Sequence, residues 1–245
     1  MEVLEVASGV YQVTASRVSW QLIVEGDSIT VVDAGWPRDY KRVVASLEQI
    51  GHSPASVDAV LLTHAHVDHM GAAEKLRSLH GIPVKAHQEE SELARGLRHE
   101  AIATAKVISQ MWRPSVFRFA LMSLGRGGTS VTPLTAIETF QDGATLDTPG
   151  SPIAIHVPGH TSGSTAYHLG DKGVLITGDA LVTTHLYTRE VGARVMPAEF
   201  NHDHELAISS IGRLKDIDAT VVLTGHGPPY EGSPKRAVEE ATARL

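Results

Sequence analysis

Four groups able to hold a metal or carry a proton fall within six residues: His64, His66, Asp68 and His69. On a strand they would alternate faces, and on a helix they would spread around the axis. A tight turn after a strand points them at a common centre. Val57–Thr63 reads as that strand, buried in the fold, and Gly71 closes the turn. Gathering so many polar groups inside a fold is costly unless their atoms find partners, and cations supply them. One run cannot fill two metal shells, since a catalytic zinc takes three protein ligands and a water. Three later strand ends each offer one more ligand: His160, Asp179 and His226. Each is flanked by glycine, which lets backbone come close to a metal. The chain has 14 histidines and no cysteine, so thiolate nucleophiles, disulfides and cysteine-based metal sites are excluded.

The elements that must position these residues follow from apolar patterning. Val10–Val13, Trp20–Val24 and Ile29–Asp33 read as strands, the last two forming a hairpin about Gly26-Asp27. A helix from about Tyr40 to Ile50 carries Val43, Val44, Leu47 and Ile50 on one face and stops at Gly51. A second helix, about residues 72–80, leads through Gly81 to a strand at Pro83–Ala86. From about Glu89 to Leu124 the spacing is helical, with Leu93, Leu97, Ala101, Ile102, Ala105, Ile108 and Trp112 on one face and an interruption at Pro114. Two readings of this stretch stay open: a core helix pair, or a lid over a pocket lined by Met111, Trp112, Phe117, Phe119 and Met122. In the second half, Ile153–Val157, Thr165–Leu169, Gly173–Thr177 and Thr220–Thr224 read as strands. A helix is expected over about His202–Leu214 with Asn201 as its N-cap, and Ser233-Pro234 opens a last helix. Val60-Leu-Leu-Thr-His64 is echoed by Val222-Leu-Thr-Gly-His226. That echo suggests two β-rich halves that face each other and donate loops to one edge.

With 245 residues and ordinary globular composition, a single α/β domain over 1–245 is expected, carrying the helical insertion or lid at about 89–124. The net charge of −7 and the absence of long basic clusters argue against nucleic acid as a partner. The N-terminus lacks the basic and apolar regions of a signal peptide, and no apolar run approaches a membrane span. A soluble cytoplasmic protein acting on a small molecule is expected, without a membrane partner. Oligomeric state is not legible.

The segments Thr63-His-Ala-His-Val-Asp-His69, Pro158-Gly-His-Thr-Ser-Gly-Ser164, Thr177-Gly-Asp179 and Thr224-Gly-His226 resemble the ordered signature motifs of the metallo-β-lactamase superfamily. The resemblance runs from about residue 8 to 230. It implies an αββα sandwich of two mixed sheets flanked by helices, with the site at one edge. It also implies that His64, His66 and His160 hold one metal, that Asp68, His69 and His226 hold a second, and that Asp179 bridges them. Two zinc ions are the expected cofactors, although the same shell takes iron or manganese. Asp33, in Val-Val-Asp-Ala-Gly, matches a further motif and is either a support for a ligand or a simple turn residue. Two cations about 3.5–4 Å apart share one hydroxide, generated near neutral pH without serine or cysteine. Asp68 is the expected catalytic residue, orienting that hydroxide or shuttling its proton.

A bridging aspartate resembles the glyoxalase II, lactonase and esterase branch. No basic C-terminal cluster for glutathione is evident, and Val182 stands where lactonases for acyl-homoserine lactones often carry a tyrosine, unless Tyr187 substitutes. The expected activity is therefore hydrolysis of an ester, lactone or thioester, with an apolar acyl group suggested by the aromatic and methionine content of 89–124. Alternatives are a β-lactamase, an iron-dependent enzyme resembling persulfide dioxygenases, and a non-catalytic metal-binding member. His185, Tyr187, Arg189, His202 and His204 are candidates either for surface duty or for reaching substrate.

Overall fold

A computed structural model describes residues 1–100, 104–130 and 132–245. The chain opens with strands β1 (Glu2–Ala7), β2 (Val10–Ala15), β3 (Val18–Glu25) and β4 (Ser28–Val32), an antiparallel meander. Helix α1 (Tyr40–Gln49) crosses to β5 (Val57–Leu61). The single turn α2 (Val67–Met70) and helix α3 (Ala73–His80) then lead to β6 (Val84–His87). Helices α4 (Ser91–Ala94), α5 (Thr104–Ser109) and α6 (Pro114–Gly125) precede β7 (Glu138–Phe140), and β1 to β7 form one seven-stranded sheet in chain order. From β4 to β7 its strands are parallel.

The second half contributes β8 (Ile153–His156), β9 (Thr165–Leu169) and β10 (Val174–Gly178), then a small hairpin of β11 (Val182–Thr184) and β12 (Val191–Arg194). Helix α7 (His204–Ser210), strands β13 (Val221–Thr224) and β14 (Tyr230–Glu231), and helix α8 (Pro234–Thr242) complete it. The second sheet has the order β14-β13-β10-β9-β8, and within it β10 and β13 run parallel.

Period-two alternation explains why these runs become central strands. Val31, Val60 and Leu62 face α1 and α3, where they meet Val43, Leu47 and Leu76. Their neighbours Val32, Ala59 and Leu61 face the other sheet and meet Ala154, Tyr167, Ile176 and Leu223. In the second sheet, Ile155, Leu175 and Val222 turn the opposite way, against Ile211, Leu214 and Val238. Both sheets are thus apolar on both faces, which gives an αββα sandwich with three apolar layers. No described helix is long and apolar enough to cross a membrane.

Two expectations change. The helical stretch of 89–124 is three short helices, and Leu97, Ile108 and Trp112 of its predicted apolar face are exposed, so that face is not a core face. Ala101 and Ile102 lie outside the described residues. The expected interruption at Pro114 is present: Pro114 starts α6, where its missing N–H has no cost. Helix α7 begins at His204, and its N-cap is Asp203, whose carboxylate accepts from the Leu206 amide at 2.9 Å. The carboxylate outcompetes Asn201 for that position, and the Asn201 side chain is used elsewhere.

Candidate metal centre

The His-rich run sits where β5 meets α2. The chain is extended at His66 (φ −69°, ψ 153°), and the His66 carbonyl accepts from the His69 and Met70 amides at 3.0 and 2.9 Å. This one helical turn swings Asp68 and His69 back toward His64 and His66. Asp33, just after β4, fixes the arrangement. Its carboxylate accepts from the Thr63 amide and hydroxyl, both at 2.8 Å, and pairs with His69 Nδ1 at 2.8 Å. Asp33 is therefore a support for a candidate ligand. It takes a left-handed backbone (φ 63°) that aspartate tolerates better than most residues.

The other three residues come from strand ends of the second sheet: His160 after β8, Asp179 after β10, His226 after β13. Two glycines are required here. A Cβ at Gly225 would lie 2.1 Å from Asp179 Oδ1 and 2.6 Å from His69 Cε1. At Gly159, φ is 128° and a Cβ would strike the Ala207 amide at 2.1 Å.

All seven sequence-predicted residues converge. His64 Nε2 and His160 Nε2 are 3.2 Å apart. Asp179 Oδ2 lies 3.2 Å from His226 Nε2 and 3.6 Å from His160 Nε2, while its Oδ1 lies 3.5 Å from His69 Nε2. Asp68 Oδ2 is 3.4 Å from His226 Nε2 and 3.9 Å from His69 Nε2. Three sets have ligand atoms within 4.8 Å of one another: His64, His66 and His160; His64, His69 and Asp179; Asp68, His69 and His226.

Most of the imidazoles are anchored from behind. His69 Nδ1 meets Asp33, and His226 Nδ1 donates to the Arg17 carbonyl at 2.6 Å. His160 Nδ1 meets Asn201 Oδ1 at 3.0 Å, and His64 Nδ1 meets the Thr63 hydroxyl at 3.0 Å. Each of these rings thereby presents Nε2 to the centre, as outer partners of metal-binding histidines do. In the centre, His69 Nε2 and Asp179 Oδ1 are buried without hydrogen-bond partners. Buried polar atoms are rarely left so, and metal ions on these donors would satisfy them. The donor set fits divalent metals.

Electrostatics agree. Burial drives His66 down to about 3, and it drives His64 and His160 below their ordinary value, so these rings are neutral. Burial pulls Asp68 upward, yet His69 and His226 outweigh it and bring the carboxyl to about 2. Asp179, likewise opposed by burial, is held well below its ordinary value by His226 and His69. For His226 burial is overcome by Asp179 and Asp68, which lift it to about 10, and His69 is lifted by Asp179, Asp33 and Asp68. The field that draws protons onto these two rings also attracts divalent cations.

Three partners escaped sequence reading. Glu90, fully buried, accepts from the Ala65 amide at 2.6 Å, the Thr161 hydroxyl at 2.9 Å and the Gly163 amide at 2.9 Å. It ties the His64–His66 loop to the His160 loop, and burial raises its carboxyl to about 7. Asn201 carried a cap signal that pointed to the wrong role. The Arg17 carbonyl had no signal, being backbone.

A cavity of about 220 Å³ opens over the centre, with His66, Asp68, His160, Asp179 and His226 among its lining residues. Its apolar wall is Trp36, Phe119, Leu186, Met196 and Phe200. Phe119 is the one expected lid residue that lines it; Trp112 and Phe117 are exposed. The Tyr187 hydroxyl donates to Glu199, and Tyr187 does not line the cavity. His185 accepts from the Tyr187 and Thr188 amides, His204 meets Asn201, and His202 is exposed.

Residues 13–226 match the family model described as Metallo-beta-lactamase superfamily, and the chain belongs to that superfamily. It is 28% identical over 240 residues to "Probable metallo-hydrolase YflN" of Bacillus subtilis, covering 93% of this chain and 87% of that protein. It is 26% identical over 221 residues to "Hydroxyacylglutathione hydrolase GloC" of Haemophilus influenzae, covering 88% of each. Among solved structures, a metallo-beta-lactamase family protein from Thermus thermophilus, TTHA1429, superimposes with a TM-score of 0.68 at 24% identity, over 98% of this chain and 80% of that one.

Proposed function

We propose that this protein is a dizinc hydrolase of esters, thioesters or lactones with an apolar acyl group. The observation that carries the reading is Asp179, whose two oxygens face different partners, Oδ1 toward His69 and Oδ2 toward His160 and His226. In this reading His64, His66 and His160 hold one metal, Asp68, His69 and His226 hold the other, and Asp179 touches both. Metal ions held by these residues would supply Lewis acidity to a carbonyl and would lower the pKa of a water to about 7.

The protein's own groups do the rest. Asp68 lines the cavity with its carboxylate 3.4 Å from His226, placed to orient a water and to pass its proton toward a leaving group. Trp36, Phe119, Leu186, Met196 and Phe200 exclude water and seat the acyl chain. The metallo-hydrolase name of YflN supports hydrolysis, and the hydroxyacylglutathione hydrolase name of GloC supports an acyl thioester. Tyr187, committed to Glu199, leaves unfilled the tyrosine role that acyl-homoserine lactonases use, and we rank those lactones below esters and thioesters for that reason.

Metal analysis of protein purified without added metal, paired with turnover of acyl thioesters, esters, lactones and a chromogenic cephalosporin, tests the reading. Two zinc ions per chain with ester or thioester turnover are expected. One iron per chain favours an iron oxygenase instead. Cephalosporin turnover without ester turnover favours a β-lactamase, and bound metal with no turnover favours a non-catalytic role.

A further inference from the structure

The turn between β2 and β3 consists of Ser16 and Arg17, both left-handed, with φ of 53° and 64°. Such turns favour Asn-Gly, because positive φ at both positions is unfavourable for ordinary side chains. Strain of this kind persists where surrounding contacts hold it. The Arg17 guanidinium donates to the Ser115 carbonyl at 3.1 Å and lies 5.8 Å from the ring centre of Phe119, part of the cavity wall. Arg189, also left-handed at φ 66°, sits on the turn between β11 and β12.

Arg17 and Arg189 line a second pocket, of about 60 Å³, together with Leu186 and His226. Leu186 and His226 line the main cavity as well, so the two spaces are neighbours. Arg118, beside Phe119 on α6, is exposed and lines neither space. Among the described residues neither Arg17 nor Arg189 has a carboxylate within ion-pair distance, in a chain whose net charge is −7. Converging guanidiniums without a counter-charge repel one another, and a carboxylate or phosphate that bridges them relieves the repulsion with charge-assisted hydrogen bonds.

We propose that Arg17 and Arg189 form a subsite for an anionic group, carboxylate or phosphate, at one end of the substrate. Resting on the hydrolase reading above, this makes the substrate two-sided. Its apolar end lies against Trp36 and Phe200, its anionic end lies against the arginines, and its scissile carbonyl lies between them at the metal centre.

A matched set of thioesters tests this, identical except for a terminal carboxylate, phosphate or neutral methyl ester on the thiol portion. The quantity read is the ratio of kcat/KM for each anionic member to that for the neutral one. The wild-type ratio is expected to be about tenfold or more, the worth of one charge-assisted hydrogen bond. It should fall toward unity in Arg189→Gln and in Arg17→Gln, and it should shrink as salt is raised from about 50 to 500 mM. The larger of the carboxylate and phosphate ratios identifies the anion.

Calorimetric titration with phenylacetate, phenyl phosphate and benzyl alcohol gives a readout independent of turnover. Tighter binding of an anionic probe that weakens in Arg189→Gln supports the subsite even if no thioester, ester or lactone is hydrolysed, an outcome that would instead remove the hydrolase reading. Equal handling of anionic and neutral members by the wild type, or an anionic preference untouched by both substitutions, overturns the proposal.

Discussion

The two sheets furnish the centre in different ways. The seven-stranded sheet delivers four groups from one turn after β5, whereas the five-stranded sheet delivers three groups from three separate strand ends. In the first case the geometry is local: one helical turn at α2 sets the spacing, and Asp33 locks both Thr63 and His69. In the second case each side chain depends on strand register and on its own distant anchor. Asn201 holds His160 across 41 residues, and the Arg17 carbonyl holds His226 across 209. The turn therefore behaves as one unit, while the strand ends behave as separable parts. Glu90 is the cross-link between the two systems.

The sharpest break in this comparison is Asp179→Ala, because that side chain faces both groups of histidines. Its activity and metal content are expected to fall together, beyond the roughly 10–100-fold that loss of an outer partner brings. His66→Ala should behave alike. Full metal content with normal turnover in either variant defeats the ligand assignment.

Next comes Asp33→Ala, which releases a ring and a loop at once and should weaken metal binding toward the upper end of about 10–100-fold. Asn201→Ala frees the His160 ring alone, so its loss should sit near the lower end, about tenfold. Competition with a chelator measures both. Equal losses would mean that the strand-end ligands are no more separable than the turn.

Glu90→Gln probes the cross-link through pH. The folded carboxyl titrates near 7, above its ordinary 4.5, chiefly because it is buried. Between those values the folded chain keeps a proton that the unfolded chain has released, so stability falls as pH rises through the window. That slope amounts to on the order of 3 kcal/mol and should vanish in the glutamine variant. Chemical denaturation at about pH 5 and pH 8 checks it; parallel behaviour of the two proteins removes Glu90 as the source. The smallest effect is expected for Trp112→Ser. That side chain is 74% exposed, and its loss should change stability by no more than about 0.5 kcal/mol in a thermal melt.

The same contrast explains what the sequence makes legible. Four candidate ligands in six residues after an apolar strand are visible because turn geometry is local. The central strands are visible because both faces of each sheet are buried, which leaves unbroken apolar runs such as Ala59–Leu62. Asp33 read equally well as support or turn residue, because only tertiary structure brings it to His69. Asn201 looked like a helix cap because asparagine before a helix has that signature, and Asp203, two residues on, took the position. Glu90 was illegible because its partners are 25, 71 and 73 residues away. The stretch 89–124 misled because its apolar spacing suits a buried helix face, while much of that face meets solvent.

The anchoring of His226 by the Arg17 carbonyl has a consequence for biosynthesis. The first hairpin also binds the last ligand loop through the Ser19 amide on the Gly225 carbonyl and the Gln12 side chain on the Gly227 carbonyl. During translation, the receptor for His226 is made 209 residues before its guest. At about 5–20 residues per second, the wait is roughly 10–40 s. The His226 imidazole can be aimed only once the first hairpin and the loop after β13 meet, so until then the nascent chain lacks a finished candidate metal centre.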